Sequence, residues 1–268
     1  MKIAVLLGSP RKQDSYTVCK QIENQIKEMD NDIEFDYIYL SKYNIQDCKG
    51  CCLCFQKSEN CCPCRDDDLT EIKARLFSAD GLIVASPVYA YQVTGQLKRF
   101  IDRMSYLFHR QEMVGKPAII VITTDGGGSK QVYKYLKMTL SGWSMDIVGN
   151  IQITAPLYFE NRTPKSVFGY DPYYFQQCSQ KIKTVSLNLF KRLKATDKRV
   201  PTFYDIFMFN CLRSKTYTSK IDRDYWIKKG WIESDYFYAI KLNPLKKAFG
   251  QIIKNMVHLA GKRYLKLD

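Results

Sequence analysis

Seven of the ten cysteines in this chain, Cys48, Cys51, Cys52, Cys54, Cys61, Cys62 and Cys64, fall within 17 residues. Thiols at that density, with no secretion signal ahead of them, are read as a metal or redox centre rather than as disulfides. The run Cys48-x2-Cys51-x2-Cys54-x6-Cys61 offers four closely spaced thiolates, the donor set of a [4Fe–4S] cluster, and Cys62 or Cys64 can replace Cys61 as the fourth. Pairing Cys48-x2-Cys51 with Cys61-x2-Cys64 gives instead a tetrahedral zinc site. Free or redox-active thiols are the third reading. The other three cysteines, Cys19, Cys178 and Cys211, are expected as buried small hydrophobes. His109 and His258 stand alone in sequence and are assigned structural or solvated roles.

Three further segments have the composition of ligand loops. Gly8-Ser9-Pro10-Arg11-Lys12-Gln13-Asp14-Ser15-Tyr16-Thr17 brings hydroxyls, two cations and the opening of a helix together, which favours a bound phosphate. The same residues also suit plain capping by Ser15 and Thr17 beside solvated Arg11 and Lys12. It lacks the G-x-G-x-x-G of dinucleotide folds and the G-K-[ST] of a P-loop, so a monophosphate is the better fit. Ser86-Pro87-Val88-Tyr89-Ala90-Tyr91 turns abruptly at Pro87 and can offer backbone groups and the Tyr89 ring to a flat ligand. In Thr123-Thr124-Asp125-Gly126-Gly127-Gly128 the glycines permit close backbone approach.

These loops must be held by the elements around them. Short, nearly continuous β-branched runs occur at Ile3 to Leu7, Ile33 to Leu40, Leu82 to Ala85, Ala118 to Thr123 and Ile147 to Ile153, as in strands covered on both faces. Amphipathic stretches around 15–28, 68–78, 94–107 and 129–142 alternate with them, the first carrying Val18, Ile22 and Ile26 in helical rhythm. That alternation predicts an α/β fold with a parallel five-stranded sheet in the order 2-1-3-4-5. All three loops then leave the carboxyl edge of the sheet, where doubly wound folds bind ligands. A phosphate site at one end and an aromatic ring at the other suit flavin mononucleotide (FMN). Asp66-Asp67-Asp68 is read as a helix start, because Asp68-x-x-Glu71 has capping-box spacing.

GSPRKxDSxT, the cysteine stretch ending in acids, SPVYxxxxxGxLKxFIDR and the later glycine turn occur here in one order over roughly residues 1–155. In this the chain resembles the flavodoxin-like NAD(P)H-dependent FMN reductases, and specifically the iron-sulfur flavoproteins. The resemblance implies that Ser9, Arg11, Ser15 and Thr17 hold the FMN phosphate. It implies too that Pro87, Val88, Tyr89 and Ala90 line the isoalloxazine, with Thr124, Gly126 and Gly127 closing the third side. It assigns Cys48, Cys51, Cys54 and Cys61 to an iron-sulfur cluster. Electrons would pass from NAD(P)H or a ferredoxin-like donor through the flavin to a quinone, flavin, nitro compound or dioxygen, in a homodimer or homotetramer. No catalytic acid or base is nominated, since the chemistry belongs to the flavin. A flavin and iron-sulfur carrier without nicotinamide turnover is the alternative.

Charge divides the chain. Of the net charge of +14, residues 151–268 carry +13, from 22 Lys and Arg against 9 Asp and Glu. Residues 156–268 are therefore set apart from 1–155 as a basic, aromatic, mainly helical extension. From Leu245 the residues Phe249, Ile252, Ile253, Met256, Val257 and Ala260 mark one helical face, with Lys246, Lys247, Lys254 and Lys262 elsewhere. That face is expected to pack on protein or to dock an anionic membrane surface or acidic carrier. The basic, aromatic extension also raises nucleic-acid binding, but no nucleic-acid motif accompanies it and none is expected. The apolar run near the N-terminus is too short for a membrane span and is read as the first strand of a cytoplasmic protein.

Overall fold

The computed structural model describes residues 1–155 and 172–262. Five strands form one sheet: β1 (Lys2–Leu7), β2 (Glu34–Tyr39), β3 (Gly81–Pro87), β4 (Pro117–Thr124) and β5 (Asp146–Thr154). They are parallel and lie in the order β2-β1-β3-β4-β5, the flavodoxin-like arrangement expected from the alternating pattern. Because side chains alternate across a strand, each apolar run feeds both faces. Ala4 and Leu6 of β1, with Ile120 and Ile122 of β4, join one core. Ile3, Val5 and Leu7, with Ile119 and Val121, join the other. This explains why the runs are continuous rather than alternating.

On the first face lie α3 (Leu69–Ser78), α4 (Gly95–Arg103) and α5 (Ser129–Gly142), contributing Ile72, Phe100 and Leu136 to the core. The amphipathic stretch expected over 94–107 ends as a helix at Arg103. A 3-10 turn, Ser105–Phe108, then carries Tyr106 and Leu107 into the core. On the second face lie α1 (Asp14–Lys27) and the long α6 (Pro172–Lys194), which supplies Cys178, Ile182, Val185 and Leu189. The division at 155/156 leaves α6 with the extension, whereas here it covers the sheet. Arg192 of α6 donates to buried Asp146 of β5 at 3.0 Å. Burial pushes the Asp146 carboxyl up, opposed by Arg199 and Arg192.

The remaining helices are α7 (Phe203–Arg213), α8 (Lys220–Lys228) and α9 (Pro244–Gly261), and α2 (Leu53–Gln56) is a single turn inside the cysteine segment. Around α7 and α8 a separate aromatic core gathers Phe209, Trp226, Trp231, Tyr236 and Phe237, with Phe209 stacked on Trp226 at 5.5 Å. It reaches the sheet domain through Trp226, whose indole N–H donates to the His109 carbonyl at 2.8 Å. The Tyr225 hydroxyl likewise donates to the Gln111 carbonyl at 3.0 Å.

Candidate functional site

The three ligand loops are locked to one another. At the end of β1 the Gly8 N–H donates to the Ala85 carbonyl at 2.8 Å, and the Thr94 hydroxyl donates to the Gly8 carbonyl at 2.7 Å. A Cβ on Gly8 would stand 2.9 Å from that hydroxyl, so only glycine lets the first loop come this close. Ser15 and Thr123 share a hydrogen bond at 2.7 Å between buried hydroxyls, and the Val88 N–H donates to the Thr123 carbonyl at 2.8 Å. Gly128 adopts φ +87°, and a Cβ there would lie 2.7 Å from Val88 Cγ1. The rim expected from strand order is therefore one bonded unit.

Within this rim the expected phosphate ligands take different positions. Ser9 is buried and closes its own turn, donating to the Arg11 carbonyl at 2.8 Å. Arg11 is exposed. Ser15 faces inward to Thr123, and the Thr17 hydroxyl donates back to the Gln13 carbonyl at 3.1 Å. Gln13 at the N-cap of α1 makes no side-chain capping hydrogen bond, so it does not claim the first-turn N–H groups. Lys12 lies 5.0 Å over the Tyr39 ring, against a cluster of Tyr16, Tyr37 and Tyr39 that the sequence reading did not single out.

Tyr89 is 42% exposed and Tyr91 64%. Between Tyr89 and Gln92, paired by hydrogen bonds of 2.8 and 2.9 Å, the chain turns through Ala90 at φ +47° and Tyr91 at φ +62°. Left-handed conformations in two successive non-glycine residues cost on the order of 1–3 kcal/mol each, the kind of strain that gathers at ligand sites. Thr124 accepts from the Gly126 N–H at 3.1 Å and donates to the Gly127 carbonyl at 2.7 Å, which fixes the turn of the glycine loop. Gly126 has open space where a Cβ would stand.

Thr94, which also escaped the sequence reading, caps α4 by accepting from the Leu97 N–H at 3.4 Å. Thr94→Val keeps the shape but removes both the cap and the donor to Gly8. It is expected to lower stability by about 2 kcal/mol, with the loss read in thermal melts alongside weaker FMN retention.

At the other end of α4 is the cysteine segment. A cavity of about 80 Å³ is lined by Cys48, Cys51, Cys52, Cys54, Cys62 and Cys64, with Phe55, Lys73, Arg103 and Tyr106. Cys61 ends a 3-10 turn, Glu59–Cys61, and is not among the lining residues. Nine residues of helix at 1.5 Å each set the Thr94 rim and this cavity about 14 Å apart along the axis. Among the described residues no three His, Cys, Asp or Glu side chains are gathered as donors for one metal ion. Burial pushes the Cys54 thiol up, reinforced by Cys48 and opposed by Arg110; burial does the same to Cys64, opposed by Arg103. Cys211 is half-buried, whereas Cys19 and Cys178 are buried as expected.

Two clamps hold the segment. In the first, Arg103 donates to the Gln46 carbonyl at 3.0 Å and the Cys64 carbonyl at 2.7 Å, and pairs with Asp67, both side chains being only 2% exposed. The capping box expected from Asp68 and Glu71 is not formed. Asp68 occupies the cap position, but its carboxylate accepts from the Asn44 N–H at 2.7 Å, while Asp67 accepts from the Leu69 N–H at 3.2 Å. The acids close the base of the cysteine loop, a use that local spacing could not distinguish from capping. In the second clamp Arg110 donates to the Cys54 carbonyl, pairs with Glu59 at 3.1 Å, and pairs with Asp222 of α8. The His109 ring stacks on Phe55 at 4.2 Å and sits 2.6 Å from the same Asp222, and the Ser219 hydroxyl donates to the Phe55 carbonyl at 2.9 Å. His109 is thus structural, as expected, but structural for the loop that carries the thiols.

A family model described as NADPH-dependent FMN reductase matches residues 1–160. The chain belongs to that family. Among similar proteins, an iron-sulfur flavoprotein of Archaeoglobus fulgidus is 37% identical over 151 residues, covering 56% of this chain and 66% of that protein. The chain thus spans just under two thirds of that relative. A Methanocaldococcus jannaschii iron-sulfur flavoprotein is 34% identical over 159 residues, 58% of this chain and 79% of its own length. In fold the chain is similar to an FMN-dependent NADH-azoreductase from Bacillus anthracis solved with FMN, with TM-score 0.52 and 15% identity over 71% of this chain and 100% of that one. The FMN reductase match accounts for the sheet and its loops but ends before α6, so the aromatic core and α9 stand outside it.

Proposed function

We propose that this FMN reductase family member binds FMN along the rim formed by the ends of β1, β3 and β4, and moves electrons from NAD(P)H or a ferredoxin-like donor to a small acceptor. The observation that carries this reading is the mutual locking of the three loops through Gly8–Thr94, Ser15–Thr123 and Val88–Gly128. When bound, FMN supplies the redox chemistry. The chain's residues bind and orient it. The start of α1, with Ser9, Arg11, Ser15 and Thr17 around it, holds the phosphate by backbone N–H groups and positive potential. Pro87 to Ala90 line the ring, with exposed Tyr89 offering a flat apolar face. Thr124, Gly126 and Gly127 close the third side without side-chain bulk.

The cysteine cavity holds a [4Fe–4S] cluster in the same reading. Several thiols lining the walls of one shared space are the donor chemistry that such a cluster takes. Cys48, Cys51 and Cys54 provide three ligands, and Cys61, or Cys62 or Cys64 in its place, provides the fourth, Cys62 and Cys64 being the two that line the cavity. In an anaerobic preparation the protein is expected to carry about four irons per chain and one equivalent of FMN, and Cys48→Ser to lose iron while keeping flavin. Iron-free protein from the same preparation removes the cluster. Apoprotein that fails to take up FMN removes the flavin site. Bleaching of the flavin by NADH or NADPH separates the oxidoreductase from a pure carrier.

A further inference from the structure

Helix α9 buries only half of its apolar side. At about 100° per residue, Phe249, Gly250, Ile253, Val257 and Gly261 fall on one flank, which packs on protein. A Cβ on Gly250 would lie 3.1 Å from Ile206, and one on Gly261 would lie 2.7 Å from the Tyr217 ring. Leu245, Ile252 and Met256, expected on one face with Phe249, Ile253 and Val257, are separated from them by exposure. Leu245, Ala248, Ile252, Met256 and Leu259 share a second arc of about 80°, and its four large residues are 74%, 58%, 61% and 64% exposed. The arc runs about 21 Å along the axis. The exposed Phe203 ring of α7, 5.4 Å from Phe249, widens it.

Charge indicates what covers this stripe. Residues 244–262 contain Lys246, Lys247, Lys254, Lys262 and His258 and no acid. Lys254 meets Glu233 at 2.6 Å, and Lys247 reaches Asp235 only at 3.9 Å with both side chains more than half exposed. By the same 100° per residue the lysines lie on the polar side of the helix, roughly 80–160° from the centre of the stripe. A surface that is apolar within and anionic at its edge meets both features, and no helix among the described residues is long and apolar enough to cross a membrane. We propose that α9 lies in the headgroup plane of an anionic lipid membrane, with Leu245, Ile252, Met256 and Leu259 inserted and the lysines against lipid phosphates. The inference stands on α9 alone and does not depend on the flavin reading.

Flotation of the full chain, as purified, with vesicles tests it. The chain is expected to float with phosphatidylcholine vesicles containing phosphatidylglycerol, to stay behind with phosphatidylcholine alone, and to release at high salt. The double variant Ile252→Glu, Met256→Glu changes two exposed positions. It should keep the melting temperature and flavin content while its partition to anionic vesicles falls about tenfold or more. A single variant, Lys247→Gln, should weaken partition at low salt only. Absence of the chain from floated anionic vesicles overturns the proposal, as does partition that the double variant leaves unchanged. A dimer in gel filtration that the double variant dissolves, with no vesicle binding by either form, assigns the stripe to a second copy and equally overturns it.

Discussion

Gly126→Ala is expected to leave the melting temperature unchanged and to weaken FMN binding about tenfold or more, whereas Gly128→Ala should lower stability first. The two glycines are neighbours with different roles. Among the described residues a Cβ on Gly126 meets nothing within 4 Å, so they leave room for a methyl group. In the proposed complex that space belongs to the flavin, and a methyl there would hold the backbone off it. Gly128 is held at φ +87°, and a Cβ there would lie 2.7 Å from Val88 Cγ1 and 3.2 Å from Tyr91 Cα. Left-handed strain of on the order of 1–3 kcal/mol would add to a displaced Val88, opening the rim between β3 and β4. Flavin fluorescence titration of the apoprotein together with thermal melts separates the two. If Gly126→Ala binds FMN like the parent chain, the triglycine loop is not the third wall of the site.

Asp222→Ala should be the most destabilising single change in the extension, about 3–5 kcal/mol. Asp222 is fully buried and answers two groups, the Arg110 guanidinium and the His109 ring. Without it Arg110, 4% exposed, keeps Glu59 as its one ion pair among the described residues and would be a buried cation short of compensation. The loss should extend to the cysteine segment, because Arg110 also donates to the Cys54 carbonyl and His109 stacks on Phe55. Maleimide labelling of Cys51 and Cys54 and proteolysis between 48 and 64 should therefore accelerate well below the melting temperature, while FMN retention changes little. A lower melting temperature with unaltered thiol labelling would show that the clamp supports the aromatic core and not the loop. Asp67→Ala makes the parallel case at the other end, where Arg103 and Asp67 are a buried pair.

Much of the sheet domain is legible in the amino-acid sequence. Runs such as Ile3 to Leu7 and Ala118 to Thr123 are continuous and β-branched because both faces of their strands are covered. The loops that follow those strands therefore had to share one edge. The cysteine run was equally plain from spacing. Less legible were residues whose role depends on a distant partner. Thr94 serves Gly8 from 86 residues away, and Asp222 serves Arg110 from 112 away. Local periodicity carries no record of such pairings.

Asp68 and α9 show the same limit in different ways. The Asp68-x-x-Glu71 spacing satisfies a capping box, yet the carboxylate found a stronger claim in the Asn44 N–H across the loop. The apolar pattern of α9 gives a helix and its faces, but which flank is covered depends on where Ile206 and Tyr217 stand. Sequence by itself determined the parallel α/β class, the edge where ligand loops meet, the thiol cluster and the basic character of the extension, because these follow from short-range pattern and composition. Tertiary structure alone decided that α6 covers the sheet, that Asp222 and His109 brace the cysteine loop, and that one stripe of α9 stays open. A burial or charge pairing is a relation between surfaces brought together in space, and those surfaces come from segments as far as 46, 86 or 112 residues apart.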